Sequence, residues 1–212
     1  MRTDNKFYFP VLENDRVRLR PLETADVEAL LPVALQPSLW KMGLQDISGE
    51  AQLREYIEEA VRQRTEGEAV PILIFDKQAG ATAGSTRLMS ISLPHKRLEI
   101  GATWIGESFQ GTGLNKHMKL LMLEYAFETM GMNRVELKTD MLNEKSRRAI
   151  LSLGAREEGV FRRHMITAGG RLRDSVYYSI IREEWPEVKE KLLQRITMYP
   201  NKILTDETLA KR

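Results

Sequence analysis

The sequence predicts an α+β protein of the mixed-sheet α/β kind: a central, mostly antiparallel twisted sheet of about six or seven strands flanked by helices. Three observations carry that prediction. The apolar period alternates repeatedly between two and 3.6 along the chain, so strands and helices are interleaved. Turn residues join neighbouring strand patterns directly, which makes antiparallel hairpins the dominant pairing. One strand pattern instead runs through a glycine-bearing loop straight into a helix.

The elements follow in order. Val17–Arg20 alternates and stops at Pro21, as a short strand does. Thr24 is the expected cap of an amphipathic helix reaching Leu35, and Ser48 precedes a longer one from about Ala51 to Arg64. Val70–Phe75 and Ala83–Leu93 are strands either side of a turn at Gln78–Gly80, and Pro94-His95-Lys96 turns the chain again. Leu98, Ile100, Ala102 and Trp104 alternate with Glu99, Gly101 and Thr103, the pattern of a half-buried strand with Trp104 on the face of Leu98 and Ile100. After the loop Gly106–Gly113, a helix over Leu114–Met130 carries apolar side chains on two stripes, so it should lie sandwiched; Gly131 stops it. Arg134–Thr139 is a strand, and Asn143 caps a short helix ending at Gly154. Glu158–Ile166 and Leu172–Ile181 form a hairpin about Gly169-Gly170, and Trp185-Pro186 opens a last helix to about Met198.

The 212 residues, 42% hydrophobic and 29% charged, suit one domain over the whole chain, with a core at about 14–184, a C-terminal helix at about 186–198 and a frayed tail beyond about 200. No apolar run has transmembrane length and the first residues lack a signal-peptide core, so a cytoplasmic protein without a membrane partner is expected. With no cysteine there is no disulfide, no thiolate metal site and no cysteine nucleophile, and no metal is expected. The 32 basic and 30 acidic residues are interspersed, so no basic stripe points to nucleic acid.

The loop Gly106 to Lys116 carries the chemistry. Its glycines allow close backbone approach to a ligand, and the helix start offers unpaired N–H groups, a site suited to phosphate or pyrophosphate. A P-loop is excluded because Thr112-Gly113 follows Gly111, and a dinucleotide fingerprint because Lys116 stands where glycine is required.

Gln110-Gly111-Thr112-Gly113-Leu114-Asn115 resembles the acetyl-CoA signature of the GNAT superfamily of N-acetyltransferases, with Asn115 in place of its final Gly or Ala. Further segments are similar, in order, to the RimJ/RimL-type branch: Arg18-Leu-Arg-Pro-Leu22, Glu99-Ile-Gly through Trp104, Tyr125-Ala-Phe-Glu128, Gly131 to Val135, Asn143 to Ser146, Leu153-Gly-Ala, Gly170 to Asp174, Tyr178 and Glu184-Trp185. The resemblance spans about Arg16 to Trp185. It implies a GNAT fold and direct transfer of acetyl from acetyl-CoA to a primary amine in a ternary complex. It also implies that the strand before the loop splays from its neighbour, that the backbone at Trp104 and Ile105 holds the pantetheine arm and polarises the thioester, and that Gln110, Gly111, Thr112, Gly113, Leu114 and Asn115 hold the pyrophosphate. Asn143 would bond the arm, and Ser146 would protonate the departing sulfur, with Tyr177 or Tyr178 as alternatives.

Glu99 is the first candidate for the base, acting on the amine through water; the competing reading is a surface carboxylate paired with Arg87 or Arg97. His164 is the alternative base, weighed against a structural histidine. The acceptor expected from the branch is a protein N-terminal amine; the alternatives are a small amine, such as a polyamine, aminoglycoside or aminoacyl conjugate, and a non-catalytic acyl-CoA sensor. A homodimer is a further expectation by analogy with relatives.

Overall fold

The computed structural model describes residues 9–198. Eight strands form one open sheet: β1 (Leu12–Glu13), β2 (Val17–Pro21), β3 (Ala69–Asp76), β4 (Ala81–Ser92), β5 (Arg97–Ile105), β6 (Arg134–Asp140), β7 (Arg156–Ile166) and β8 (Leu172–Ile181), in the order β1-β2-β3-β4-β5-β6-β8-β7. All pairings are antiparallel except β5 with β6, the pair joined through the glycine loop and the next helix. The seven expected strands are present, and β1, too short to show a period, is added. Five helices accompany them: α1 (Val27–Ala34), α2 (Glu50–Glu66), α3 (Leu114–Glu124, continued by a π turn over Tyr125–Thr129), α4 (Glu144–Ser152) and α5 (Trp185–Met198). The expected frayed tail beyond about 200 lies outside the described residues.

Two cores hold the layers together. Leu22, Val27, Leu30, Leu53, Ile57 and Leu73 bring α1 and α2 onto one face of the sheet. Leu98, Ile100, Leu114, Met118, Val135, Tyr178 and Leu192 pack α3 and α5 onto the other. Met118, Leu120, Met122 and Leu123 of α3 are all buried, which is what its two apolar stripes require.

Helix starts differ from the sequence expectation. Thr24 opens a 3-10 turn rather than capping a helix; the Asp26 carboxylate accepts from the Glu23 N–H at 2.8 Å, and α1 begins only at Val27. Gly49, not Ser48, is the residue before α2, and Gly67 ends that helix in the left-handed region with φ 77°. Asn143 does cap α4, its Oδ1 accepting from the Ser146 N–H at 3.0 Å.

A bulge in β5 overturns one assignment. Between the pairs Ser85↔Trp104 and Arg87↔Gly101, β5 spends one residue more than β4, and Ala102 absorbs it at φ 47°. Alternation is thereby reset, so Trp104 lies in the α1–α2 core, opposite Leu98 and Ile100. At the far edge β7 is bulged as well, around Arg163 at φ 50°, and leaves Val160, Phe161 and Ile166 exposed.

Candidate active site

Beside β4, β5 is paired from Arg97 to Ile105; beside β6, the pairs stop after Arg97↔Arg134, Leu98↔Val135 and Glu99↔Glu136. From Ile100 onward the two parallel strands part, and β6 continues against β8 alone. The result is a wedge-shaped opening in the middle of the sheet whose walls carry unpaired backbone groups, a place where an extended ligand can supply the missing strand.

The β4 wall is held by a close approach. A Cβ on Gly84, at φ 151°, would stand 2.1 Å from the Trp104 carbonyl oxygen, so only glycine lets β4 and β5 meet here. Trp104 is locked beneath: its Nε1 donates to Tyr56 Oη at 3.3 Å, and its ring lies 5.3 Å from that of Trp40. Ile105 is buried in the opposite core.

At the wide end of the wedge sits the glycine loop. Gly111 and Gly113 take φ of 75° and 91° with nothing within 4 Å of a built Cβ, so they are needed for the turn and leave open space above it. Gln110 Nε2 donates to the Ile105 carbonyl at 2.6 Å, and its Oε1 accepts from Lys145 of α4, tying the loop to the far side of the opening. Thr112 Oγ1 donates to the Phe109 carbonyl at 2.7 Å. The loop is further anchored by Arg16, whose Nη2 reaches Thr112 Oγ1 at 3.2 Å while its guanidinium makes a buried two-point ion pair with Asp76, at 2.9 and 2.7 Å. Leu114 is buried under the first turn of α3, and Asn115 is half-buried beside it. The N-termini of α3 and α4, with Asn143 and Ser146 in the latter, thus flank one opening.

Glu99 marks the apex, where pairing ends. It is buried rather than at the surface, and its partner is neither Arg87 nor Arg97: Lys138 of β6 donates to Oε2 at 2.8 Å, while Arg97 lies 3.5 Å from Glu136. Lys138 is on the opposite face of β6 from Val135 and Leu137. Lys119 of α3 is also buried at the opening; its Nζ donates to Thr103 Oγ1 at 3.1 Å. Burial pushes its pKa down to about 7, opposed by the Glu99 charge.

The other candidates separate. His164 is exposed on β7, its Nδ1 3.1 Å from Ser175 Oγ, in an aromatic group with Phe161 and Tyr177. Tyr177 in turn lies under Lys138, 5.7 Å from ring centre to Nζ, so this group adjoins the Glu99 side of the opening. Tyr178 points the other way, wholly buried, with Oη accepting from Arg147 Nε at 3.2 Å and its pKa raised by burial. His117 of α3, which the sequence did not single out as a candidate, is half-buried, and burial, then the Arg16 charge, lowers its pKa.

Sequence reasoning missed Arg16, Lys119 and Lys138. Arg16 and Asp76 are 60 residues apart and Arg16 and Thr112 are 96 apart, so no local pattern could join them.

A family model described as an acetyltransferase (GNAT) domain matches residues 16–156. A Bacillus subtilis (strain 168) protein with the provisional name ribosomal N-acetyltransferase YdaF is 30% identical over 178 residues, 81% of this chain and 94% of that one. The spermidine N(1)-acetyltransferase of Escherichia coli (strain K12) is 24% identical over 170 residues, covering 80% of this chain and 88% of that one. A crystal structure from T. thermophilus, provisionally titled an acetyltransferase, superposes with a TM-score of 0.82 at 34% identity, over 90% of this chain and 99% of that one.

Proposed function

Because the chain belongs to the GNAT family and is an N-acetyltransferase, we propose that it carries an acetyl group from acetyl-CoA to the N-terminal amine of a protein by direct attack in a ternary complex. The observation that carries this reading is the opening between β5 and β6, bounded by the glycine loop at its mouth and by buried Glu99 at its apex. The residues present fit the cosubstrate. Unpaired strand edges match a pantetheine arm with its amides, and the open space above Gly111 and Gly113 at the α3 N-terminus matches a pyrophosphate. Acetyl-CoA supplies an activated thioester.

The protein's residues do the rest. The backbone of Trp104 and Ile105 orients and polarises the thioester carbonyl; Gly84 and the Tyr56 bond fix that backbone in place. Gln110 to Asn115 bind the phosphates, and Asn143 bonds the arm. Glu99, oriented by Lys138, receives the amine proton through water. Ser146 Oγ, at the start of α4, hands a proton to the departing sulfur. A protein acceptor is supported by the ribosomal designation of the Bacillus relative. The spermidine enzyme among the relatives favours a second reading, a small polyamine acceptor.

Calorimetric titration with acetyl-CoA, followed by thiol release against N-terminal peptides and polyamines, tests the proposal. Binding with release on peptides is expected. Release on polyamines alone selects the second reading; binding without release on any amine leaves an acyl-CoA-binding module, and no binding ends the proposal.

A further inference from the structure

Among the described residues, two buried side-chain polar atoms have no hydrogen-bond partner, and both are arginine Nε atoms, of Arg87 and Arg173. Each is about nine-tenths buried, at 7% exposure. Their strands place both on the face of the sheet opposite α3, the face that carries Glu99 and Lys138: Arg87 is paired with Gly101 one strand beyond Glu99, and Arg173 lies on β8 in the same row as Tyr177 and Ser175. Of its five N–H donors Arg87 spends one on Gln63 Oε1, at 2.9 Å, and its guanidinium lies over the Tyr56 ring at 4.7 Å. The Nε is closed off from the cavity, so the donor that Arg87 can offer an oxygen acceptor there is Nη2, which makes no hydrogen bond among the described residues.

Arg87 and Tyr56 form the floor of a cavity of about 580 Å³ between β4 and α2. Its rim is acidic, and three of its four carboxylates are not consumed internally. Glu59 is bound by Arg62 and Gln63, but Asp46, Glu55 and Glu58, all exposed, have no hydrogen-bond or ion-pair partner among the described residues. The cavity therefore combines a buried donor for oxygen at its floor with unneutralised carboxylates at its mouth. A polyamine satisfies the rim only, since it carries no oxygen for Arg87. A peptide satisfies both, with a main-chain carbonyl and a cationic side chain.

Distance sets which residue is read. Neighbouring strands are about 4.8 Å apart and an extended residue spans about 3.3 Å. With its amine at Glu99, a peptide places the first or second carbonyl over β4 and the side chain of the second or third residue under α2. We infer that Arg87 and the Glu55–Glu58 rim select acceptors by a main-chain carbonyl and a lysine or arginine at the second or third position. This rests on the peptide-acetylating reading above and adds a sequence preference to it.

The test compares acetyl-CoA-dependent thiol release on peptide pairs that differ only in Lys or Glu at positions two and three, with wild type, the Glu55→Gln/Glu58→Gln double variant, Arg87→Met and Arg87→Lys. The expected result is at least about a tenfold preference for the basic peptide in kcat/KM, carried by KM, which the double variant brings to near one. Arg87→Met raises KM for both peptides by about tenfold or more, with acetyl-CoA affinity and the melting temperature as controls for folding; Arg87→Lys recovers part of the loss. Peptides acetylated with no charge preference, or a preference untouched by the double variant, overturns the inference and leaves the peptide reading standing. Acetylation of spermidine but of no peptide overturns both.

Discussion

The two sides of β5 obey opposite rules. Against β4 the strand is paired over its full length, and the contact becomes so close at Gly84 and Trp104 that no side chain fits. Against β6 it is paired over three residues and then released. The closed side is stabilised by backbone and by apolar residues from both cores; the open side is lined by Glu99, Lys119, Lys138 and Thr103, which apolar packing would not retain. The contrast teaches how a sheet can carry a cleft in its middle. One seam is made over-determined so that the next can be left unfinished.

Glu99→Gln tests the open side most directly. Loss of a general base lowers kcat/KM by about 10²–10⁴ with acetyl-CoA affinity retained, measured by thiol release; a fall below about tenfold would reduce Glu99 to a partner of Lys138. Arg16→Met, on the closed half, strands the buried Asp76 carboxylate and should cost about 3–5 kcal/mol in urea unfolding while loosening the loop at Thr112. Gly84→Ala drives a methyl against the Trp104 carbonyl at a backbone angle alanine avoids, for about 2–3 kcal/mol and a weaker grip on acetyl-CoA.

Lys119→Met should stabilise the fold by about 1–3 kcal/mol at pH 6. Burial holds this lysine at about 7 against an ordinary 10.5, so between those values the unfolded chain binds the extra proton. Native stability therefore rises from pH 7 towards 10.5, and the lysine's penalty is full below pH 7. The methionine variant should lose that slope; equal slopes by chemical denaturation at pH 6, 8 and 10 would contradict a buried, depressed ammonium. Asn143→Ala is the smallest change, about 1 kcal/mol from the lost bond to the Ser146 N–H.

What the sequence made legible was what neighbouring residues decide. The strands β2 to β8, the sandwiched α3, the Asn143 cap and the turn glycines of the loop all follow from period and residue type. The exact face of Trp104 was not legible, because an alanine at φ 47° leaves no compositional mark. Nor were the helix starts at Thr24 and Ser48, where a 3-10 turn closed on Asp26 and a glycine took the places expected of hydroxyls. Glu99 stood out from its place on the strand, but its burial and its bond to Lys138 depend on where the pairing with β6 stops. The loop's anchorage by Arg16 belongs to tertiary structure altogether.

The edge strand β7 has a consequence of its own. Val160, Phe161 and Ile166 stand exposed on a strand with one free side, the sort of rim on which a passing chain can continue the ladder. The kink at Arg163 interrupts the run, since β7 advances four residues from Phe161 to Met165 while β8 advances two, and Arg162 and Arg163 put charge beside it. Bend and charge together make this rim a poor template for another strand, so the ladder that β8 continues into β7 is discouraged from continuing further on that side.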